Sequence, residues 1–300
     1  MTTTTSATEQ APTSEVPRRR RRTGAGMATP MPLQITTYIL LTAGVVLYVM
    51  PFVIMIINSL KTEGELLRNP VGLVPAEITF ENYTRWFQEL NIQQFFGTSL
   101  LVAIVTVAGN VVFCSMVGYA MAKMQFPGKK LLFSLVMLTL MVPGTVTFVP
   151  LFVLVSRLGL VNTVPGLFLP FIVTPLGVFL MRQFIMGIPD VLMEAARIDG
   201  AKEGTIFFRV ILPLCGAPLA TLSILTFLGS WNQFLWPLVA AQSEKMYTLP
   251  IALTLFSKGQ EATNYGLLLA GSVLVVTPIV ILFLFLQRYF VQSVVSAGVK

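Results

Sequence analysis

Side chains that could bind or react are sparse in this chain, and the types that do occur restrict its chemistry. No histidine is present among the 300 residues, which excludes a Ser-His-Asp triad, a Cys-His pair and a His-ligated metal site. The two cysteines, Cys114 and Cys215, lie in apolar runs, where an isolated thiol behaves as a small buried hydrophobe. We therefore expect two buried free thiols rather than a disulfide, and no metal site.

The stretch from Glu194 to Leu214 gathers charges, small residues and helix breakers inside an otherwise apolar chain. A helix is predicted to begin with Asp190 as its N-cap and to end at Gly200, which suits the left-handed position after a helix. Thr205 is predicted to cap a second short helix, which Pro213 closes. Three residues share one face of the first helix: Val191, Ala195 and Ile198.

Two short helices joined by a tight bend would turn charges and small side chains outward. The small side chains are those of Ala195, Ala196 and Ala201. Because small residues let another backbone approach closely, this stretch is predicted to be a docking surface. The alternative is a solvated connector between two longer helices.

A second set of polar side chains falls inside apolar stretches or at their ends. Its members are Asn110, Ser115, Thr139, Trp231, Asn232 and Gln233. Polar side chains in a span are expected to face the bundle interior or a partner rather than lipid. Amides hydrogen-bond hydroxyl groups, and aromatic rings stack on sugar faces, so Trp231, Asn232 and Gln233, with the nearby Trp236, suit a hydroxyl-rich solute. Two alternatives stay open, since amides also join membrane helices to one another and indoles also anchor at the lipid interface.

The composition indicates the elements that must position these residues. The chain is 55% hydrophobic and 11% charged, with a mean hydropathy of +0.79, whereas soluble domains carry about 25% charged residues. An all-α polytopic membrane protein is therefore predicted, with spans of roughly 20 apolar residues. Six stretches qualify: Gln34 to Asn58, Phe96 to Ala122, Leu131 to Val155, Pro165 to Ile185, Cys215 to Ala240 and Gly266 to Gln287.

Basic residues predict the orientation of these spans. With both termini in the cytoplasm, 14 of the 20 Lys and Arg residues lie inside, including the run Arg18 to Arg22, as membrane proteins prefer. The run is interpreted as an anchor at anionic headgroups rather than a nucleic-acid site. Residues 1 to 31 are polar and predicted to be disordered. The stretch from Glu194 to Leu214 then lies in a cytoplasmic loop between spans four and five.

This loop resembles the cytoplasmic signature of binding-protein-dependent ABC importer permeases. The matching residues are Glu194, Ala195, Ala196, Gly200, Val210, Leu212 and Pro213. Four further segments resemble the sugar-importer branch, in particular its maltose-type second permease: NSLKT, FPGKK, WNQFLWPLV and LQRYFVQSVVSAGVK. The resemblance covers residues 33 to 300. Gln233 departs from it, since many relatives carry an acidic residue there.

The resemblance implies a type I ABC importer permease fold of six transmembrane helices over residues 32–300, with a coupling loop at about 187–213. It also implies a second permease subunit, two ATPase subunits that bind ATP and Mg, and an external solute-binding protein, in a bacterial or archaeal cell membrane. This chain itself would bind no cofactor. Glu194 would contact the ATPase and Gly200 would fix the angle between the short helices. The ATPase-coupling residues would be Glu194, Ala195, Ala196, Asp199, Gly200, Ala201, Leu212 and Pro213.

The absence of two kinds of sequence feature argues against ATP hydrolysis by this chain and against secondary transport. There is no phosphate-binding GxxxxGK[ST] motif, so ATP hydrolysis is not expected here. No carboxylate lies in the middle of a predicted span, and no internal repeat is visible, which argues against a secondary transporter. Three hypotheses remain: a sugar importer permease, a permease for another small solute such as a phosphorylated polyol, and a non-transporting membrane scaffold. Lipid and sugar are expected partners, and nucleic acid is not.

Overall fold

The computed structural model describes residues 31–257 and 263–298, with side chains described over 35–257 and 263–285. Regular structure in these ranges is helical, as predicted. In the first half the helices are α1 Met31–Ser59, α2 Glu63–Arg68, α3 Glu81–Gln88, α4 Ile92–Gly109, α5 Ser115–Lys123, α6 Lys129–Met141 and α7 Gly144–Arg157. In the second half they are α8 Val164–Phe168, α9 Pro175–Met186, α10 Val191–Ile198, α11 Glu203–Ile206, α12 Leu212–Leu214, α13 Gly216–Trp231, α14 Leu235–Ala240, α15 Leu249–Phe256 and α16 Tyr265–Gly298.

The chain divides into two units, one ending at Pro51 and the other beginning at Phe52. Most of α1 belongs to the first unit, and all later helices belong to the second. The Arg18 to Arg22 run and the predicted disordered tail lie outside the described residues, except for Met31, which begins α1.

In the part of the chain that the structure describes, three helical stretches are long and apolar enough to cross a membrane by themselves: Ile35–Ser59, Ile92–Lys123 and Tyr265–Phe285. Three helix pairs meet that standard only together, and each is bent: Lys129–Met141 with Gly144–Arg157 by 106°, Val164–Phe171 with Pro175–Met186 by 44°, and Glu203–Leu214 with Gly216–Trp231 by 82°. Six spans result if each bent pair counts as one. The number of spans and the orientation of the termini stay predictions.

The prolines in the predicted spans indicate bent helices, and spans three, four and five are bent so strongly that each consists of two helices. Proline accounts for the breaks in spans three and five. A proline has no N–H for the carbonyl four residues earlier, and its ring clashes with that carbonyl. Pro143 breaks the third span between Met141 and Gly144. In the fifth span, Pro218 acts in this way on Leu214 and Pro237 acts on Gln233, so α13 ends at Trp231 rather than continuing to Ala240.

Helices α5 and α9 pack tightly against each other and contribute Tyr119, Met181 and Ile185 to a cluster of buried side chains. A Cβ on Gly118 of α5 would lie 2.8 Å from the Met181 Cβ of α9, so only glycine permits this approach. Residues of α10 and of the helical turns after it pack onto the same pair, among them the buried Met193, Ile206 and Phe207. The thiols of Cys114 and Cys215 are buried in this cluster and free, as predicted.

Three buried tryptophans tie the remaining helices together, and each indole N–H donates to a backbone carbonyl. Trp86 bonds to Leu267 at 2.8 Å, Trp231 to Val275 at 3.0 Å and Trp236 to Gly166 at 3.0 Å. Since Trp231 and Trp236 are each only 1% exposed, their burial excludes the alternative that these rings anchor at the lipid interface.

The segment between α1 and α4 is fastened by two charged side chains. Lys61 is 0% exposed, and its ammonium donates to the carbonyls of Asn69 at 3.1 Å and Gly72 at 2.7 Å. The Glu63 carboxylate accepts from the backbone N–H groups of Tyr265 and Gly266 at 3.1 and 2.8 Å. Glu63 therefore caps the start of α16, where the free N–H groups and the helix dipole favour an anion.

Candidate functional site: a docking segment and a pocket

The docking segment, residues 190–213, contains the predicted first helix as α10. Asp190 occupies its N-cap position, but the side chain makes no capping hydrogen bond. Met193 faces the core, whereas Val191 and Ile198 are 69% and 87% exposed. The face that these two residues share with Ala195 is thus an apolar surface turned away from the rest of the chain.

Gly200 ends α10 in the left-handed conformation that the sequence predicts, with a φ of +79°. The Ala201 N–H bonds to the Ala196 carbonyl at 2.9 Å, which is the six-to-one bond of a Schellman motif. The second helix begins at Glu203 rather than at a cap formed by Thr205, which lies within it. Pro213 does not close it, since helical structure continues through a π turn, Phe207–Ile211, to Leu214.

Most of the predicted coupling residues are accessible on the docking segment. The exposed ones are Glu194, Ala195, Asp199, Gly200 and Pro213, and the half-buried ones are Ala196, Ala201 and Leu212. Glu194 lies in the first turn of α10, where a carboxylate is favoured by the helix dipole.

Two polar contacts that no sequence pattern indicated join the docking segment to α5. The Tyr119 hydroxyl donates to Glu203 Oε2 at 2.7 Å, and the Arg197 guanidinium binds the other oxygen of that carboxylate at 2.9 Å. The Lys123 ammonium lies 2.6 Å from Asp190 Oδ1. A spacing of four residues between a tyrosine and a lysine is too common for the sequence alone to indicate such a pair.

A pocket of about 300 Å³ lies between α4, α9 and α13. Its lining residues are Thr106, Phe171, Thr174, Leu176, Gly177, Leu180, Leu222, Leu225, Thr226, Gly229, Ser230 and Gln233. Gln233 is a predicted solute-path residue, whereas the four hydroxyl side chains of the lining were not predicted. For two of these hydroxyls the sequence contained a signal, because Thr226, Ser230 and Gln233 are spaced four and three residues apart, as they would be on one face of a continuous helix.

Asn110 lies behind this pocket, completely buried. Its amide nitrogen donates to the carbonyls of Thr106 at 3.0 Å and Phe171 at 2.7 Å, and its oxygen accepts from Thr174 Oγ1 at 2.7 Å. Asn110 also begins a π turn, Asn110–Cys114, that joins α4 to α5. Its hydrogen bonds match those of an amide that joins membrane helices.

The other predicted solute-path residues are scattered, and the pocket lining does not include them. Ser115 is buried and donates to the Val111 carbonyl, while Thr139 is exposed and donates to the Val136 carbonyl at 2.7 Å. The Trp231 ring packs against Phe96 and Phe227 at 5.5 Å between centroids. Asn232 is exposed at the C-terminal end of α13.

Comparisons with a family model and with individual proteins agree on one family. The family described as "Binding-protein-dependent transport system inner membrane component" matches residues 114–296. The arabinooligosaccharides transport system permease protein AraQ of Halalkalibacterium halodurans is 46% identical over 84% of this chain and 91% of its own length. The sn-glycerol-3-phosphate transport system permease protein UgpE of Yersinia pestis is 32% identical over 88% of this chain and 97% of its own.

A solved structure shares the fold at low sequence identity. It is a bacterial ABC transporter involved in the import of the acidic polysaccharide alginate, and one of its chains superposes with a TM-score of 0.78. The match covers 86% of this chain and 96% of that chain, at 22% identity. The two chains therefore share their overall fold.

Proposed function

The chain belongs to the family of binding-protein-dependent transport system inner membrane components, and from this premise we propose that it is a permease subunit of an importer for neutral oligosaccharides. As a member of that family it is a multi-pass inner membrane protein and a transporter subunit rather than an enzyme. Family members work together with other components of an ABC importer. What is proposed here is the identity of those components, the solute and the path.

The proposed assembly contains a second permease subunit, two ATPase subunits and an external solute-binding protein in a bacterial or archaeal membrane. ATP and Mg bind to the ATPase subunits. The docking segment contacts an ATPase subunit through Glu194 and the exposed apolar face of α10. The exposure of Ile198 and Val191 supports this contact, because apolar side chains on a charged, solvent-facing loop are typical of a surface that a partner covers.

The pocket beside α13 is the proposed solute path of this subunit. Its polar groups are hydroxyls and one amide, set among apolar side chains, and Lys and Arg are missing from its lining. Hydroxyls and amides both donate and accept hydrogen bonds, as sugar hydroxyls require. This uncharged polar lining is the observation that carries the proposal of a neutral, hydroxyl-rich solute. Asn232, at the end of α13, is proposed to contact the solute as it enters or leaves.

Permeation of a phosphorylated polyol is the second candidate, because UgpE is a relative at 32% identity. A phosphate dianion in a desolvated path would require a basic side chain or several convergent N–H donors. The pocket lining has no basic residue, and the identity to AraQ is higher, at 46%. Both observations favour the oligosaccharide. A scaffold without transport would need no such pocket.

An uptake experiment with the complete importer distinguishes these candidates. Cells that express it with its ATPase, partner permease and binding protein are supplied with arabinotriose, lactose or glycerol 3-phosphate. We expect uptake of a neutral saccharide, and several-fold slower uptake for Gln233→Ala, Asn232→Ala and Ser230→Ala. The control is Thr147→Ala, which removes an exposed hydroxyl of α7. Uptake of glycerol 3-phosphate alone would overturn the proposed solute, and normal uptake by all three variants would overturn the proposed path.

A further inference from the structure

The docking segment is held at two points by one helix, α5. Asp190, just before α10, pairs with Lys123, and Glu203, at the start of α11, accepts from Tyr119. Tyr119 and Lys123 are four residues apart on α5, so they project from the same face of that helix. The Lys123 ammonium also donates to the Ile188 carbonyl at 2.5 Å, which adds a contact to the chain entering the segment.

The side chains on the α5 side of both contacts are well enclosed. Tyr119 is buried, with its ring 5.4 Å from that of Phe207, and the Lys123 side chain is 7% exposed. Their partners Asp190 and Glu203 are much more accessible, at 68% and 45%. The α5 side chains are thus fixed by packing inside the protein, whereas the two carboxylates belong to the more accessible docking segment.

Helix α10 depends on these attachments to move as a unit with α5. It has 8 residues, and isolated helices of that length are marginal in water. Met193 is its one buried side chain. The two polar contacts lie on either side of α10 in the sequence, so a displacement of the docking segment is passed to α5 at two points.

The same helix reaches the pocket. Residues Ile92–Lys123 form one helical stretch that contains Tyr119 and Lys123 near its end and Thr106, a pocket residue, one π turn earlier. Asn110, in that turn, bonds to Thr174 on the opposite wall of the pocket. A continuous set of bonded residues therefore runs from the docking segment to both walls of the pocket.

We propose that Tyr119 and Lys123 are positioning residues that transmit movement of the docking segment to the solute pocket. This inference rests on the proposed function only in taking the docking segment to be the ATPase contact. The identity of the solute does not enter it. A position between the docking segment and the pocket does not by itself show that the two are coupled. The test must therefore measure a response at the pocket to nucleotide bound by the ATPase.

The test uses the complete importer in vesicles, with Gln233→Cys as a reporter and with Cys114→Ser and Cys215→Ala removing the native thiols. The rate of labelling by a water-soluble maleimide is compared without nucleotide and with Mg-ATP and vanadate. We expect the two rates to differ, because the pocket changes accessibility when the ATPase closes. Equal rates would overturn the inference, since no movement would then reach the pocket.

Tyr119→Phe removes only the hydroxyl, and Asp190→Asn removes only the charge while keeping a residue type favoured at an N-cap. We expect each to reduce the nucleotide-dependent difference, and the double variant to reduce it by at least about fivefold, the lower end of measured coupling between sites. ATPase co-purification and vanadate trapping should persist. Tyr265→Phe and Glu244→Gln are matched controls at exposed positions outside the docking segment.

Substitutions at Lys123 separate a transmitting role from a structural one. Lys123→Arg keeps the charge and the donors and should retain most of the labelling difference, whereas Lys123→Met should lose it at an unchanged amount of assembled complex. Wild-type labelling differences in Tyr119→Phe, Asp190→Asn and their double variant would overturn the inference. Loss of assembly in Tyr119→Phe together with an unaltered response in Asp190→Asn would also overturn it, because the contacts would then serve folding alone.

Discussion

Thr174 and Asn110 are joined by a hydrogen bond of 2.7 Å from Thr174 Oγ1 to Asn110 Oδ1, at the bend that opens α9. Thr174 is also the N-cap of α9, since its hydroxyl oxygen accepts from the Gly177 N–H at 3.2 Å. One hydroxyl thus caps a helix and binds it to its neighbour. Asn110 also donates to the Phe171 carbonyl. Through these two bonds Asn110 attaches the bent fourth span to the helical stretch Ile92–Lys123.

Asn110→Leu tests this attachment. The leucine matches the amide in size but leaves the Thr174 hydroxyl and the Phe171 carbonyl without their partner. We expect a loss of about 1–3 kcal/mol in the free energy of unfolding in detergent, as for other buried polar groups left unpaired. Thr147→Ala, at an exposed hydroxyl, should change it little. Equal stability of Asn110→Leu and the unsubstituted protein would contradict this role.

Gly200→Ala should weaken the docking segment, whereas Gly204→Ala should not. A Cβ at either position meets no atom within 4 Å, so the two differ in backbone conformation. Gly200 has a φ of +79°, which costs an L-residue about 1–2 kcal/mol, while Gly204 lies in α11. Faster hydrogen exchange at the Ala201 amide and slower uptake are expected for Gly200→Ala alone. Identical exchange in the two variants would contradict the prediction.

Glu194→Lys should abolish uptake while the protein still reaches the membrane. The side chain is exposed in the first turn of α10, so reversing its charge should act on the contact with the ATPase more than on folding. Whole-cell uptake and ATPase co-purification are the measurements. Glu244→Lys, at an exposed position on another loop, is the control and should transport normally. Normal uptake by Glu194→Lys would remove this residue from the docking contact.

Lys61→Met should lower the amount of folded protein in the membrane. The methionine fills the buried space but gives no donors to the carbonyls of Asn69 and Gly72, an expected loss of about 2 kcal/mol. Immunoblots of membrane fractions after a thermal challenge measure it, with Lys245→Met at an exposed position as the control. If both variants resist heat equally, the buried ammonium does not stabilise the loop.

The sequence predicted the apolar stretches, the docking segment and the turn at Gly200, because each depends on local composition or on one residue type. The prolines within the spans indicated bent helices, but the sequence did not predict which of them would break a span into two helices. Proline is tolerated in a membrane helix when neighbours satisfy the freed carbonyls, so a break depends on tertiary packing. In the structure Pro51 stays within α1, whereas Pro143 separates α6 from α7.

The candidate site was predictable in part for a similar reason. Glu194 to Pro213 form a contiguous motif, and Gln233 stands out as an amide among apolar residues. Tyr119 and Glu203, by contrast, are 84 residues apart in the chain, and neither residue type is unusual in its local context. Thr106 and Thr174 meet in the pocket only because the end of α4 lies against the start of α9, which no local pattern encodes.

The π turn at Asn110–Cys114 sets the rotation of the helix that follows it. A π turn contains one residue more than an α turn, so deleting Val112 would restore a regular α-helix and leave the later residues in nearly the same rotation. Regularising the turn at constant length would instead rotate everything after it by about 100°, the angle per residue of an α-helix. Tyr119 and Lys123 would then point away from Glu203 and Asp190. In this stretch the direction of the side chains is preserved by an irregularity, so an ideal helix of the same length would be a less functional one.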